Sequence, residues 1–236
     1  MSVTTVLFDL DGTLLPMDYD LFIKSYFSLL AEYSAPFGYG PKKLTDAVWN
    51  GTLAMVKNTG DVTNEELFWN TFCAIYGGSA GDHIAHFEEF YRKVFPQVKS
   101  ACWCVPEAVE TLRLCKELGL TVVLATNPVF PRIATETRMC WAGIEKEAFA
   151  LVTTYENSRF CKPNPAYFQE VCRTIGVKPE ECLMVGNDVS DDMAARKAGM
   201  QVFLLTDCLL NSKGEDITKY PSGDYTALQN CIRSLN

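Results

Sequence analysis

The hydrophobic period changes twice along the chain. Val3 to Phe8 is a short, β-branched apolar run that ends at Asp9, with Gly12 just beyond. This is the pattern of a buried strand entering a tight turn. From about Asp18 to Val98 the apolar residues fall at helical spacing instead. Leu21, Phe22, Tyr26, Leu29 and Leu30 form one set, and Leu44, Val48, Leu53 and Val56 the next. Leu67, Phe68, Phe72 and Ile75 follow, then Phe87, Phe90, Val94 and Phe95. Four helices are predicted, with no strong strand between them. Thr63 with Glu66 resembles a capping box opening the third, and Gly77-Gly78 closes it.

After Pro106 the chain alternates. Helices are predicted over 106–118, 130–141, 165–175, 191–198 and about 225–235. Strands are predicted over 120–125, 151–154, 182–185 and 201–205, with Gly119, Gly176 and Gly199 as helix stops. Alternation of this kind implies an α/β fold, a parallel sheet covered by helices on both faces. Such sheets bind ligands beyond the carboxyl ends of their strands. The helical block interrupts this pattern right after the first strand, as an inserted lid domain would.

The length fits that organisation: 236 residues suit one large domain or a core with an insertion. Acids outnumber bases 29 to 21, which argues against a nucleic-acid footprint of clustered Lys and Arg. The opening MSVTTVLFDLDG does not read as a secretory leader, and no apolar run approaches a membrane span of roughly 18 residues. A cytoplasmic protein without a membrane or nucleic-acid partner is expected, its ten cysteines mostly small buried hydrophobes in reducing surroundings. Cys102-Trp103-Cys104 lacks the second ligand pair that zinc requires.

Four polar clusters follow predicted strands or lie in loops on the binding edge. They are Asp9-Leu10-Asp11-Gly12-Thr13-Leu14, Thr126-Asn127, Lys162-Pro163, and the run from Gly186 through Asn187, Asp188, Asp191 and Asp192. Clustered carboxylates repel one another and are costly to bury unpaired. A hard divalent cation relieves that cost, and Mg²⁺ prefers one or two carboxylates plus water and substrate oxygens. A lysine and a threonine hydroxyl suit a phosphoryl group, and a carboxylate can attack phosphorus. Each cluster also has a plainer reading: a turn for Asp9 and Asp11, a helix cap for Thr126-Asn127, a solvated charge for Lys162, and a helix N-terminus for the acids. Their joint order is what favours chemistry.

With these motifs in this order and spacing, the sequence resembles the haloacid dehalogenase-like hydrolases, specifically their phosphatase branch. The resemblance implies a Rossmann-like, five-stranded parallel core over 1–15 and 101–236 and an all-helical cap over 16–100. It implies Asp9 as nucleophile and Mg²⁺ ligand, and Asp11 as general acid and base with its carbonyl on the metal. Thr126 would hold a phosphoryl oxygen with Asn127 close by, and Lys162 would offset charge. An Asp at position 11 favours phosphoryl transfer, because the dehalogenases of the superfamily lack it. In the fourth motif two alignments stand open. One makes Asn187 the ligand with Asp191 in support; the other makes Asp188 the ligand with Asp192 in support, and is preferred because a carboxylate neutralises Mg²⁺. The expected activity is hydrolysis of a small phosphorylated metabolite through an aspartyl-phosphate. A sugar-phosphate mutase using the same Asp pair is an alternative, as is an inactive binding protein on the scaffold. His83 and His86 share a predicted helix face but lack further metal ligands. The aromatics Trp49, Phe68 and Trp69 are expected mostly in the core.

Overall fold

A computed structural model describes residues 2–235, so Met1 and Asn236, the ends of the expected core, lie outside the described residues. Among the described residues six strands form one sheet: β1 (Thr5–Phe8), β2 (Thr121–Leu124), β3 (Leu151–Val152), β4 (Cys182–Gly186), β5 (Gln201–Leu205) and β6 (Ser222–Gly223). Their order is β3-β2-β1-β4-β5-β6 and every pairing is parallel. The sheet thus has one strand more than the five expected. β6 is two residues long and is recruited by backbone pairing to Leu204–Leu205, which leaves no apolar alternation to read. The expected strand at 151–154 shortens to two residues. The helix expected at 191–198 is a 3₁₀ segment, Met193–Ala198, ended by Gly199 at φ 99°. Six residues stopped by a left-handed glycine favour the tighter turn.

Side chains of β1 alternate between the two faces, as a strand requires. Val6 and Phe8 join one apolar cluster, and Leu7 joins the other with Val123 and Met184. The second face is covered by α7 (Pro165–Ile175) and the 3₁₀ segment at 193–198. On the first lie α5 (Pro106–Glu117), α6 (Arg132–Ala142) and α8 (Tyr225–Arg233).

The four helices expected between β1 and α5 are present as α1 (Tyr19–Ser34), α2 (Pro41–Val56), α3 (Asn64–Tyr76) and α4 (Ala80–Lys93). Thr63 caps α3 by accepting the Glu66 N–H at 3.2 Å. Their aromatic interior continues into the first-face cluster through contacts such as Phe95 stacked on Trp141 at 5.2 Å between ring centroids. Two backbone joins tie the block to the sheet domain. At its ends the strands of chain run together: Asp18 N–H donates to Ala101 O at 2.9 Å and Trp103 N–H to Pro16 O at 3.0 Å. At the start of α3, Asn64 N–H donates to Ser158 O at 2.8 Å and Glu65 N–H to Tyr155 O at 2.9 Å. The Asn64 amide adds bonds to Pro128 O at 3.2 Å and Cys161 Sγ at 3.3 Å.

His83 and His86 are occupied structurally, by Tyr39 Oη and Gly77 O and by Ser34 Oγ respectively. The cysteines are less buried than expected: four are buried, four half-buried, and Cys104 and Cys140 exposed. Among the described residues no helix is long and apolar enough to cross a membrane.

Candidate active site

Register brings the polar clusters level. Phe8 pairs with Leu124 on one side and Val185 on the other, so Asp9, Thr126 and the loop after Gly186 leave the sheet along one edge. All nine residues expected from the sequence line a single cavity of about 600 Å³: Asp9, Asp11, Thr126, Asn127, Lys162, Asn187, Asp188, Asp191 and Asp192.

Lys162 is the hub. Its side chain is buried, and Nζ donates to Asp9 Oδ1 at 2.8 Å and to Asp192 Oδ1 at 2.6 Å. Its backbone N–H donates to Asn127 Oδ1 at 3.2 Å, and the Asn127 amide donates to Asp191 Oδ2 at 3.1 Å. Asp192 Oδ2 accepts the Asp188 N–H at 2.9 Å, and Asp188 Oδ1 accepts the N–H groups of Ser190 and Asp191 at 2.7 and 2.9 Å. Thr126 sits on this floor through its carbonyl, which accepts from Thr153 Oγ1 at 2.7 Å and Tyr167 Oη at 2.9 Å.

Two glycines allow the loops to meet this closely. Gly12 has φ +83°, and a Cβ there would lie 2.3 Å from Asn187 Nδ2. A Cβ on Gly186 would lie 2.1 Å from the Asp192 carboxylate. The Asn187 amide itself is spent on structure: Oδ1 accepts from Thr13 Oγ1 at 3.0 Å and Nδ2 donates to Cys208 O at 2.7 Å. Asp192 is likewise committed to Lys162 and the Asp188 N–H. Asp188 retains Oδ2 and Asp191 retains Oδ1 outside these bonds.

Burial pushes the Asp9 carboxyl up to about 8, opposed by Lys162 and reinforced by Asp192 and Asp11. Burial, then Asp188, pushes Asp191 up to about 6, and burial also raises Asp188. For Lys162 burial works downward, but the carboxylates of Asp192 and Asp9 outweigh it and hold the ammonium above its ordinary value. Negative charge in this cavity therefore exceeds what one ammonium offsets. Among the described residues no three carboxylate, His or Cys side chains form a closed metal cage. The donor set still fits Mg²⁺, which takes one or two carboxylates and keeps several waters.

Sequence reasoning missed Arg138. It is fully buried on α6, its guanidinium lies 4.5 Å over the Phe130 ring, and it forms a salt bridge with Asp11 Oδ2. Nε donates to Ala134 O and Nη2 to Thr135 Oγ1, both at 3.3 Å. Asp11 Oδ1 is buried without a partner. The available signal was a lone cation four residues from both Ala134 and Ala142 on an otherwise apolar helix stripe.

Comparison with known proteins agrees with this geometry. The chain is 25% identical over 225 residues to the pyrophosphatase PpaX of Halalkalibacterium halodurans, covering 95% of this chain and 92% of that protein. It is 28% identical to the PpaX of Bacillus cereus over 84% of this chain and 81% of that one. Among solved structures, a 2-haloacid dehalogenase from Pseudomonas syringae pv. Tomato superposes with TM-score 0.66 at 20% identity, covering 99% of this chain and 100% of the other. A HAD phosphatase from Thermococcus onnurineus superposes with TM-score 0.60 at 20% identity, covering 98% of each. The model of the haloacid dehalogenase-like hydrolases matches residues 3–199, which include every cluster on the cavity wall. The family match spans β1 to β4 and every polar cluster that the sheet edge gathers around Lys162, and the chain belongs to the haloacid dehalogenase-like hydrolase family.

Proposed function

We propose that this hydrolase is a Mg²⁺-dependent phosphatase acting on a small phosphorylated metabolite, with residues 1–15 and 101–236 as its core and 16–100 as a helical cap. The observation that carries the reading is the pair at the end of β1. Asp9 is held 2.8 Å from Lys162 Nζ, and Asp11 lies two residues on in the same cavity. The name pyrophosphatase carried by PpaX supports cleavage of a phosphorus–oxygen bond by this arrangement.

The Asp9 carboxylate attacks phosphorus, and the bond from phosphorus to the ester oxygen breaks. Asp11, protonated, gives its proton to the departing alkoxide. Asp11 then takes a proton from water, whose oxygen attacks the aspartyl-phosphate phosphorus and frees Asp9 and inorganic phosphate. Lys162 holds Asp9 in position and offsets charge, while Thr126 and Asn127 contact phosphoryl oxygens. Asp9, the Asp11 carbonyl and Asp188 would hold Mg²⁺, which when bound neutralises phosphoryl and carboxylate charge. Asp188 is preferred to Asn187 because the Asn187 amide is occupied by Thr13 and Cys208. Arg138 keeps the Asp11 side chain at its place in the cavity wall.

Release of inorganic phosphate from a panel of phosphate monoesters with Mg²⁺ tests this. Turnover lost with EDTA, restored by Mg²⁺ and abolished in Asp9→Asn is the expected result. Isomer formation from hexose phosphates without phosphate release would instead assign a mutase.

A further inference from the structure

A second cavity opens off the first. It has a volume of about 270 Å³ and lies between the cap helices and the loop after β2. Tyr19, Ile23, Asn127, Val129, Phe130 and Asp191 line both cavities, so the two adjoin at these residues. Beyond this neck the wall is mostly aromatic and aliphatic, with Phe27, Trp49, Phe68 and Trp69 among its residues. No Lys, Arg or His lines it, and Asp191 at the neck is its one charged residue. Lys162 is the one cation lining the phosphate cavity, and it is already shared between Asp9 and Asp192.

An anionic leaving group would meet no cation in this space, and a heavily hydroxylated one would have only the hydroxyls of a few tyrosines and Thr52 and the Asn127 amide to replace its water. Stripping a charge of its water with no compensation is costly, and Asp191 at the neck adds repulsion. An apolar group would gain by the same transfer. The size is informative too: an apolar cavity of about 150 Å³ holds benzene. About 270 Å³ therefore has room for a fused two-ring group or a branched chain of similar bulk.

We infer that the substrate is a phosphate monoester of a bulky apolar alcohol, aromatic or branched, whose leaving group fills the cap cavity, and not a sugar phosphate or pyrophosphate. The inference rests on the phosphatase reading for the position of the phosphoryl group.

Two measurements separate them. In turnover, 2-naphthylmethyl phosphate and glycerol 1-phosphate offer primary alkoxide leaving groups and differ chiefly in apolar bulk. With Mg²⁺ present, kcat/KM should favour the naphthylmethyl ester by about thirtyfold or more, the yield of burying an aromatic side chain. Pyrophosphate should be the poorer substrate as well. In binding, calorimetry with 2-naphthylmethylphosphonate, which cannot be hydrolysed, should show a preference of similar size over methylphosphonate. Leu53→Lys, which places a cation on the partly exposed cavity wall, should erase the preference in both assays. Equal affinity for the two phosphonates, or faster turnover of pyrophosphate or glycerol phosphate, would overturn the inference and leave the phosphatase standing. Phosphonate preference without hydrolysis of any ester would keep the apolar ligand and remove the phosphatase.

Discussion

Replacing Asp9 with Asn should abolish turnover and make the metal-free protein more stable. Asp9 is 7% exposed, and burial pushes its carboxyl from 3.8 to about 8 despite Lys162. Near pH 4 the folded group is protonated and the unfolded one is close to its midpoint, so the cost is only about 0.5 kcal/mol. As pH rises toward 8 the unfolded chain sheds the proton while the folded protein retains it, so the stability present at low pH is lost. At ~1.4 kcal/mol per pH unit over that span, the ceiling is about 6 kcal/mol. Water entry and adjustment of the Lys162 ammonium reduce this, so the expected gain for Asp9→Asn is about 1–3 kcal/mol at pH 8 and close to zero at pH 4. Urea unfolding in EDTA at the two pH values measures it. Mg²⁺ should then stabilise the wild type more than the variant, because Asp9 is a proposed ligand. A variant equally or less stable at pH 8 would refute the account of Asp9 as a buried carboxyl whose ionisation Lys162 does not fully offset.

Other expectations follow from the same contacts. Arg138→Met removes the buried partner of Asp11 and should lower stability by about 3 kcal/mol in urea unfolding. It should slow alkyl phosphates, which need a proton donor, more than p-nitrophenyl phosphate, and Arg138→Lys should not rescue the flat contact with Phe130. Asp188→Asn should weaken Mg²⁺ binding at least about tenfold by calorimetry, whereas Asn187→Ala should leave it nearly unchanged and cost ~1 kcal/mol of stability. The reverse result would favour the ungapped alignment of the fourth motif. Gly12→Ala should destabilise by about 2–4 kcal/mol in thermal unfolding, since it combines a left-handed backbone with a clash against Asn187.

The parts of the molecule that were readable have one-dimensional signatures. Val3 to Phe8 reads as a strand because its apolar run is continuous, and Asp9 stands out because it ends that run. Lys162, in a loop before a helix, and Asp188, after a strand, were singled out by their order along the chain, which survives in sequence even though the contact between Lys162 and Asp9 spans 153 positions. β6 was missed because Ser222–Gly223 pairs by position and carries no strand pattern. Arg138 was hidden within a helix whose period says which face is buried but not what it meets there. The same limit applies to the aromatics of the helical block: Phe68 and Trp69 are buried while Trp49 is half exposed, yet all three line the second cavity.

The attachment of the helical block has a mechanical consequence. It is joined to the sheet domain where residues 16–18 run beside 101–103, and again at the start of α3 through Asn64 and Glu65. A body held at one place can swing in any direction; held at two, it can turn only about the line between them. Any turning about that line would also have to shear the aromatic contacts that run from the block into the first-face core. The second join is made to Pro128 and Cys161, each the immediate neighbour of a cavity residue, Asn127 and Lys162. A rotation that strained Asn64 would therefore be felt at the Asp9–Lys162 cavity as well as in the helical block, so the two compartments share a bearing as well as a wall.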